Sequence, residues 1–432
     1  MKFSMLYADA RGQLYDHPHY ALVGRTGDRF TEPLPEEMIP LPEGASLTLV
    51  PGGIPLGVDR KGDFRLVREA ATVIKASARN SGRDQGPVFA VGALLPQGYT
   101  RTLLPAYRRE AGEKPLPLLG YAAVGMYREK FYVAAVETDQ PAKWNPCGYN
   151  TADLSELVAD KVNKYPGNRI LAQLARCSLD YGCLTAQNIF HGRWEGGIPV
   201  SPVCNANCLG CISLQPAECC PSPQERINFT PTVEEIIQVG LPHLEEAPEG
   251  IISFGQGCEG EPSLAVRVVA PAVSTLRSQT SKGTININTN AGHRPAIREI
   301  CQAGLDAMRV SVIGPSEEVY NRYYRPRDYN LNNVAESIKI AKAHGVYVSL
   351  NLLTLPGLTD REGEIEALIQ LVQATVVDLI QFRNLNIDPD QFLPLLPPRD
   401  DEILGITELI RILKRELPNT ALGSFSRPVR PD

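Results

Sequence analysis

Hydrophobic and polar positions follow one rhythm up to about residue 140 and another beyond it. In the first part, short apolar segments are separated by Gly and Pro turns, so SMLYADA, SLTLVPGGIPLGV and PVFAVGALLP read as strands. GYAAVGMYREKFYVAAVETD reads as two alternating strands joined at Arg128 to Lys130, and one helix is expected over residues 64–77. These elements predict an N-terminal accessory domain, α+β or mostly β, over residues 1–150. Residues 153–175 carry helical spacing instead: Leu154, Leu157, Val158 and Val162, then Ile170, Leu171 and Leu174 beyond a break at Pro166 and Gly167. A helical connection is expected over residues 151–196.

From residue 197 onward strand and helix patterns alternate. GIPVSPV precedes a helix over 233–245, GIISFG one over 265–278, and TININT one over 296–303. AMRVSVIG, VYVSLNLL and VDLIQFR are followed in the same way by helices over 334–343, 362–375 and 403–415. Six such units predict a parallel sheet curled into a partial, TIM-like (β/α)6 barrel over residues 197–420, with a C-terminal tail over 421–432. Binding sites on barrels of this kind form at the C-terminal ends of the strands.

Composition narrows the classes. At 432 residues, 43% hydrophobic and 21% charged, the chain is long enough for two well-cored domains, and no apolar run approaches the ~20 residues of a membrane span. Met1 to Tyr7 is too short for the apolar centre of a secretion signal, so a cytoplasmic location is expected. Ten cysteines then point to reduced thiols and metal ligation rather than disulfides. A net charge of −6 argues against a nucleic-acid partner, whose phosphates demand clustered Lys and Arg.

Cys204, Cys208 and Cys211, spaced CxxxCxxC in PVCNANCLGC, sit just past the first predicted barrel strand. Three thiolates can hold three irons of a [4Fe–4S] cluster and leave the fourth open to another ligand, which is a catalytic arrangement. A structural zinc site completed by Cys219 or Cys220 is the alternative metal, and an electron carrier or redox sensor the alternative function.

The spacing and its place after a strand resemble the radical S-adenosylmethionine (SAM) superfamily, over residues 197–417. The EGEP run at 259–262 is similar to that family's GGEP motif, with Glu259 in place of the first Gly. The resemblance implies that Gly260 and Glu261 receive the SAM amino group. INTNAG resembles a TNG tail, which implies SAM contacts from Thr289 and Asn290; Ser311 in MRVSVIGP matches a further position, although Ile313 stands where the family carries an acid. Asn351 in VSLNLLTLPG and Arg383 in QFRNLNIDPD are expected at the barrel mouth, Arg383 against the SAM carboxylate or an acidic substrate.

The resemblance implies an enzyme that reductively cleaves SAM to a 5′-deoxyadenosyl radical and takes a hydrogen atom from a substrate, a peptide or small metabolite ahead of RNA. A reducing partner such as flavodoxin or ferredoxin is implied as well. No side chain is singled out as the catalytic group. Of the remaining cysteines, Cys147 has no assigned role and Cys301 reads as core. A second cluster would draw on Cys177, Cys183, the vicinal pair Cys219 and Cys220, and Cys258.

Overall fold

The structure is a computed structural model that describes residues 2–68, 87–110, 112–140, 142–215, 222–398 and 400–430. Two compact units divide the chain. The first comprises Met1–Gln140 together with Thr354–Glu362 and Asn384–Ile412. Among the described residues its main sheet has eleven strands, centred on Ser4–Ala8, which pairs antiparallel with Leu14–Leu22 and Phe89–Leu94. The predicted hairpin is present as Ala122–Tyr127 and Lys130–Glu137. Arg128 and Glu129 join these strands at φ 49° and 61°, the left-handed pair whose twist suits a two-residue hairpin. Leu6, Ala8, Val91, Val124 and Val133 pack together as the core of one face.

The helix expected from residue 64 is not found at its start. Phe64–Leu66 is a strand paired antiparallel with Gly53–Val58, because the alternation Phe64, Arg65, Leu66 serves a ladder as well as it serves a helical turn. Residues 69–77 lie outside the described residues.

Segment Asn384–Ile412 joins this unit through buried polar bonds. The Asp388 carboxylate, fully buried, accepts from the Tyr107 hydroxyl at 3.1 Å, from the Leu116 amide at 2.8 Å and from the Arg109 guanidinium. Arg101, also fully buried, donates to the Leu385 carbonyl, and burial pulls its pKa down to about 9.

The second unit comprises Pro141–Leu353, Gly363–Arg383 and Leu413–Asp432. It opens with α1 (Leu154–Lys164), α2 (Arg169–Leu179) and a third helix, α3 (Leu184–His191), within the expected helical connection. The Asn168 side chain caps α2 by accepting from the Leu171 amide at 3.1 Å. A parallel sheet of seven strands follows: β1 (Glu195–Gly197), β2 (Ile251–Phe254), β3 (Thr284–Thr289), β4 (Ala307–Val312), β5 (Tyr347–Thr354), β6 (Leu379–Asn384) and β7 (Ala421–Gly423), hydrogen-bonded in that order. Between them run α4 (Val233–Glu246), α5 (Val266–Gln279), α6 (Arg294–Gln302), α7 (Glu317–Tyr324), α8 (Leu331–Ala343) and α9 (Glu362–Thr375). The partial barrel is therefore present, with β7 and α7 added to the predicted set.

Strand periodicity sorts the two faces of this sheet. Ile252, Ile285, Ile287, Met308, Val310, Val348, Leu350 and Ile380 are fully buried, and Ile252 meets the helical layer where Gly240 of α4 comes close. The alternate positions, Ser253, Asn286, Asn288, Arg309, Ser311, Ser349, Asn351, Gln381 and Arg383, are polar and share the concave face. The register confirms the rows: Ser253 pairs with Asn286, Asn288 with Arg309, Arg309 with Ser349, and Ser311 with Asn351. Among the described residues no helix is long and apolar enough to cross a membrane.

Candidate active site

The first barrel strand ends earlier than its sequence suggests. GIPVSPV was expected to be strand throughout, yet only Glu195–Gly197 belongs to the ladder, followed by one further bond from the Ile198 amide to the Ser253 carbonyl at 3.0 Å. The cause is the loop after β2. The Glu259 carboxylate accepts from the Val200 and Ser201 amides at 2.8 and 2.9 Å, and from the Gly255 and Gln256 amides, both at 2.7 Å. Beyond it the Gly260 amide donates to the Ser201 carbonyl at 2.7 Å, and the Glu261 amide to the Val203 carbonyl at 2.8 Å. The chain leading to Cys204 is thus bonded to the EGEP run instead of to a strand.

All four acceptor sites of Glu259 are taken, so the residue that departs from the family motif is a structural tie. Burial raises its pKa to about 7 against the opposing pull of these amides. Because that value lies above the ordinary carboxylate range of an unfolded chain, the group's contribution is complete at low pH and is lost as pH rises through about 7. Glu259→Gln leaves one pair of amides facing an NH2 group and is expected to lower stability by about 2–4 kcal/mol. Thermal unfolding between pH 5 and 8 checks both points: the parent should lose stability across that range and the variant should show a flatter profile.

Cys204, Cys208 and Cys211 are partly accessible and lie within electrostatic reach of one another. Burial pushes the Cys208 thiol up, and the neighbouring Cys204 and Cys211 push it further; burial likewise raises Cys204. A guanidinium absent from the sequence prediction counters this. Arg226 donates to the Cys211 sulfur at 3.4 Å and to the Ser213 hydroxyl at 3.1 Å, and its charge favours the thiolates of Cys204 and Cys208. Three thiols beside one cation are a donor set that suits an anionic iron–sulfur cluster. Among the described residues no three His, Cys, Asp or Glu side chains gather around a single point; Cys219 and Cys220, which would complete the zinc alternative, lie outside them.

The cysteine loop is anchored on two sides. Its Asn207 and Leu209 amides donate to the Tyr324 and Tyr323 carbonyls at the end of α7, both at 3.0 Å. Its Asn205 side chain accepts from the Asn290 amide nitrogen at 2.7 Å. The rings of Tyr320 and Tyr324 of α7 meet at a tilt with centroids 4.6 Å apart, and with Tyr329, whose hydroxyl interacts with that of Tyr320, they bring three buried hydroxyls close to Cys208. Their spacing in VYNRYYRPRDY was the available signal, since positions 320, 323 and 324 share one helix face.

Glu261, 3% exposed, binds the ends of β2 and β3 together. It accepts from the Ser263 amide at 3.0 Å, the Thr289 hydroxyl at 2.5 Å and the Asn290 amide at 2.8 Å. Burial raises its pKa and these donors oppose the rise. A carboxylate has about four acceptor sites, so one remains for a further donor such as an ammonium. Thr289 and Asn290 are themselves engaged, accepting from the Ala291 and Gly292 amides, both at 2.9 Å.

The structure thus brings Gly260, Glu261, Thr289 and Asn290 into one network beside the cysteine loop. Ser311 and Asn351 stand on the neighbouring strands, 3.5 Å apart, and Arg383 lies on β6 of the same face. Cys177 and Cys258 place their thiols side by side behind the loop, with Cys183 nearby; Cys219 and Cys220 lie outside the described residues.

A family model described as the radical SAM superfamily matches residues 198–371, the stretch that contains the cysteines and strands β2 to β5. The chain thus carries a radical SAM domain over these residues. It is an enzyme of the radical SAM class, whose members cleave SAM reductively at a [4Fe–4S] cluster. Among solved structures the chain is similar to methylornithine synthase, at 14% identity over 61% of this chain and 77% of that one with a TM-score of 0.37. It is also similar to HydG, a maturase of the [FeFe]-hydrogenase, at 16% identity over 64% and 63% of the two chains with a TM-score of 0.38. A radical SAM methyltransferase from Sphaerobacter thermophilus aligns at 15% identity over 52% and 64% with a TM-score of 0.36. The chain spans less than two thirds of the length of the latter two. No curated protein sequence matches it.

Proposed function

We propose that this enzyme couples SAM cleavage to removal of a hydrogen atom from an organic substrate, a small metabolite or peptide rather than RNA. Cys204, Cys208 and Cys211 would hold the cluster, and Gly260, Glu261, Thr289, Asn290, Ser311 and Asn351 would bind or order SAM. When bound, the cluster supplies the electron that splits SAM into methionine and the hydrogen-abstracting 5′-deoxyadenosyl radical. The observation that carries the reading is the lashing of the cysteine loop, through Asn205 and Asn290, to the carboxylate network of Glu261. A loop that holds three thiols is thereby fixed against a buried acid with one acceptor site to spare.

The protein's own contribution is to order and to shield. Glu261 offers its remaining acceptor site to an ammonium, a charge-assisted bond stronger than a neutral one. Arg226 offsets thiolate charge, and the tyrosines of α7 exclude water from one side of the loop. A low-potential electron donor such as flavodoxin or ferredoxin is the implied partner. Exposed thiols and an open iron require a reducing compartment, which supports the cytoplasm.

The test is anaerobic. Protein reconstituted with iron and sulfide is mixed with SAM and dithionite, and 5′-deoxyadenosine is quantified against a Cys204/Cys208/Cys211→Ala variant. Product from the parent alone is expected. A parent that holds its cluster yet yields no 5′-deoxyadenosine, with or without candidate substrates, would instead be an electron carrier or sensor.

A further inference from the structure

The C-terminal end of α7 carries a cationic surface beside the cysteine loop. Residues 319–327 hold three arginines and no acid, in a chain whose net charge is −6. Arg322, Arg325 and Arg327 are all exposed, and among the described residues none of the three makes an ion pair. Glu317 and Glu318 lie at the opposite end of the helix, and Asp328 follows Arg327.

The main chain sets these residues against the loop. The Arg327 amide donates to the Asn205 carbonyl at 3.0 Å. Arg322 immediately precedes Tyr323, and Arg325 immediately follows Tyr324, whose carbonyls accept from the Leu209 and Asn207 amides. Since Asn207 and Leu209 flank Cys208, one hydrogen bond and a few residues of main chain connect the arginines to that thiol. Arg325 also sits in the left-handed region, at φ 49° and ψ 57°, where an L side chain crowds its own backbone and glycine is the usual choice. Pro326 explains why the helix stops there, but not why the residue that turns the chain is an arginine.

On the radical SAM reading, we propose that Arg322, Arg325 and Arg327 form the docking surface for an acidic protein that delivers the electron. A donor has to approach the cysteine loop closely and leave after each transfer, and exposed charges serve both ends: they speed encounter without the deep burial that slows release. They also orient it. An acidic chain repels an acidic partner over most of its surface, so a local cationic patch turns the donor toward the loop. An RNA would meet the same cations, but three phosphate contacts release few counterions and leave its binding weak.

An acidic flavodoxin in its hydroquinone form is the probe. It is mixed anaerobically with the full-length, cluster-loaded protein in a stopped-flow cell, without and with SAM. One electron passes to the oxidised cluster and the hydroquinone becomes the semiquinone, which flavin absorbance records. The second-order rate constant should fall steeply between about 50 and 300 mM salt. Arg322→Gln and Arg327→Gln should each lower it about threefold, and Arg322→Glu/Arg327→Glu more than tenfold with a flattened salt dependence. Arg325→Gly should lower it about threefold yet melt no lower than the parent, because glycine takes this backbone conformation freely; a merely structural role would not separate the two readouts. Reduction by dithionite and iron content should stay within about twofold in every variant. A flavodoxin rate that ignores salt, or that survives the double charge reversal, would overturn the proposal. So would RNA retardation abolished by the same variants while electron transfer is unchanged. Because flavin oxidation is read without SAM cleavage, arginine-dependent transfer with no 5′-deoxyadenosine would count against the radical SAM reading alone. Arginine-independent transfer with 5′-deoxyadenosine formed would count against the docking surface alone.

Discussion

Cys208→Ala is expected to yield a folded protein that retains almost no iron after anaerobic reconstitution, where the parent takes up about four irons per chain. Cys208 is the middle one of the three proposed ligands, and its thiol is pushed up by burial and by its two neighbours. As a thiol it therefore keeps its proton, and only a metal that binds the thiolate repays the loss of that proton. Without it, two cysteines on one short loop cannot close three corners of a cluster. The fold should survive, because the loop is held by backbone bonds from Asn207 and Leu209 to α7 and by Asn205, none of which involves sulfur. The checks are iron and sulfide analysis, the visible charge-transfer absorption of the cluster, and circular dichroism. Formation of 5′-deoxyadenosine should fall below detection. A variant that still binds one zinc per chain with normal stability would point back to a structural metal site.

Gly260→Ala is expected to be strongly damaging. A Cβ at this position would lie 2.0 Å from the Val203 carbonyl oxygen and 2.4 Å from its carbon. Both are backbone atoms one residue before Cys204, so no side-chain rotation relieves the clash. The pairing of Gly260 with Ser201 and of Glu261 with Val203 must open, which displaces the cysteine loop from the Glu261 network. Overpacking of this kind costs about 3 kcal/mol or more. Thermal unfolding should show that loss, together with reduced iron retention and weakened SAM binding. Gly148→Ala is the control, since nothing lies within 4 Å of its Cβ position, and it should unfold like the parent.

Much of the barrel was legible because its elements obey clean periods. TININT, AMRVSV and YVSLNLLT alternate over most of their length, and the helices between them keep an apolar stripe against the sheet. What escaped did so for local reasons. GIPVSPV has a strand's composition, yet its amides are taken by Glu259 and its carbonyls by Gly260 and Glu261, partners some sixty residues away in sequence. β7 has three residues, too few to show alternation. At the site, the three proposed cysteine ligands stand out in the sequence because they lie in one eight-residue run. Arg226 was not, since its significance depends on a contact made across elements with Cys211. The EGEP run was recognised as a binding motif, but its first Glu proved to be a tie between two loops.

The buried Asp388 has an evolutionary implication. The accessory unit is completed by Thr354–Glu362 and Asn384–Ile412, stretches that leave and re-enter the barrel sequence after β5 and β6. A recombination event at a single point near residue 140 would remove Tyr107, Arg109 and the Leu116 amide while leaving Asp388 behind, a carboxylate stripped of its donors amid exposed Leu385, Ile387 and Phe392. The two units cannot be shuffled as independent cassettes; they must be inherited, and diversify, as one gene segment.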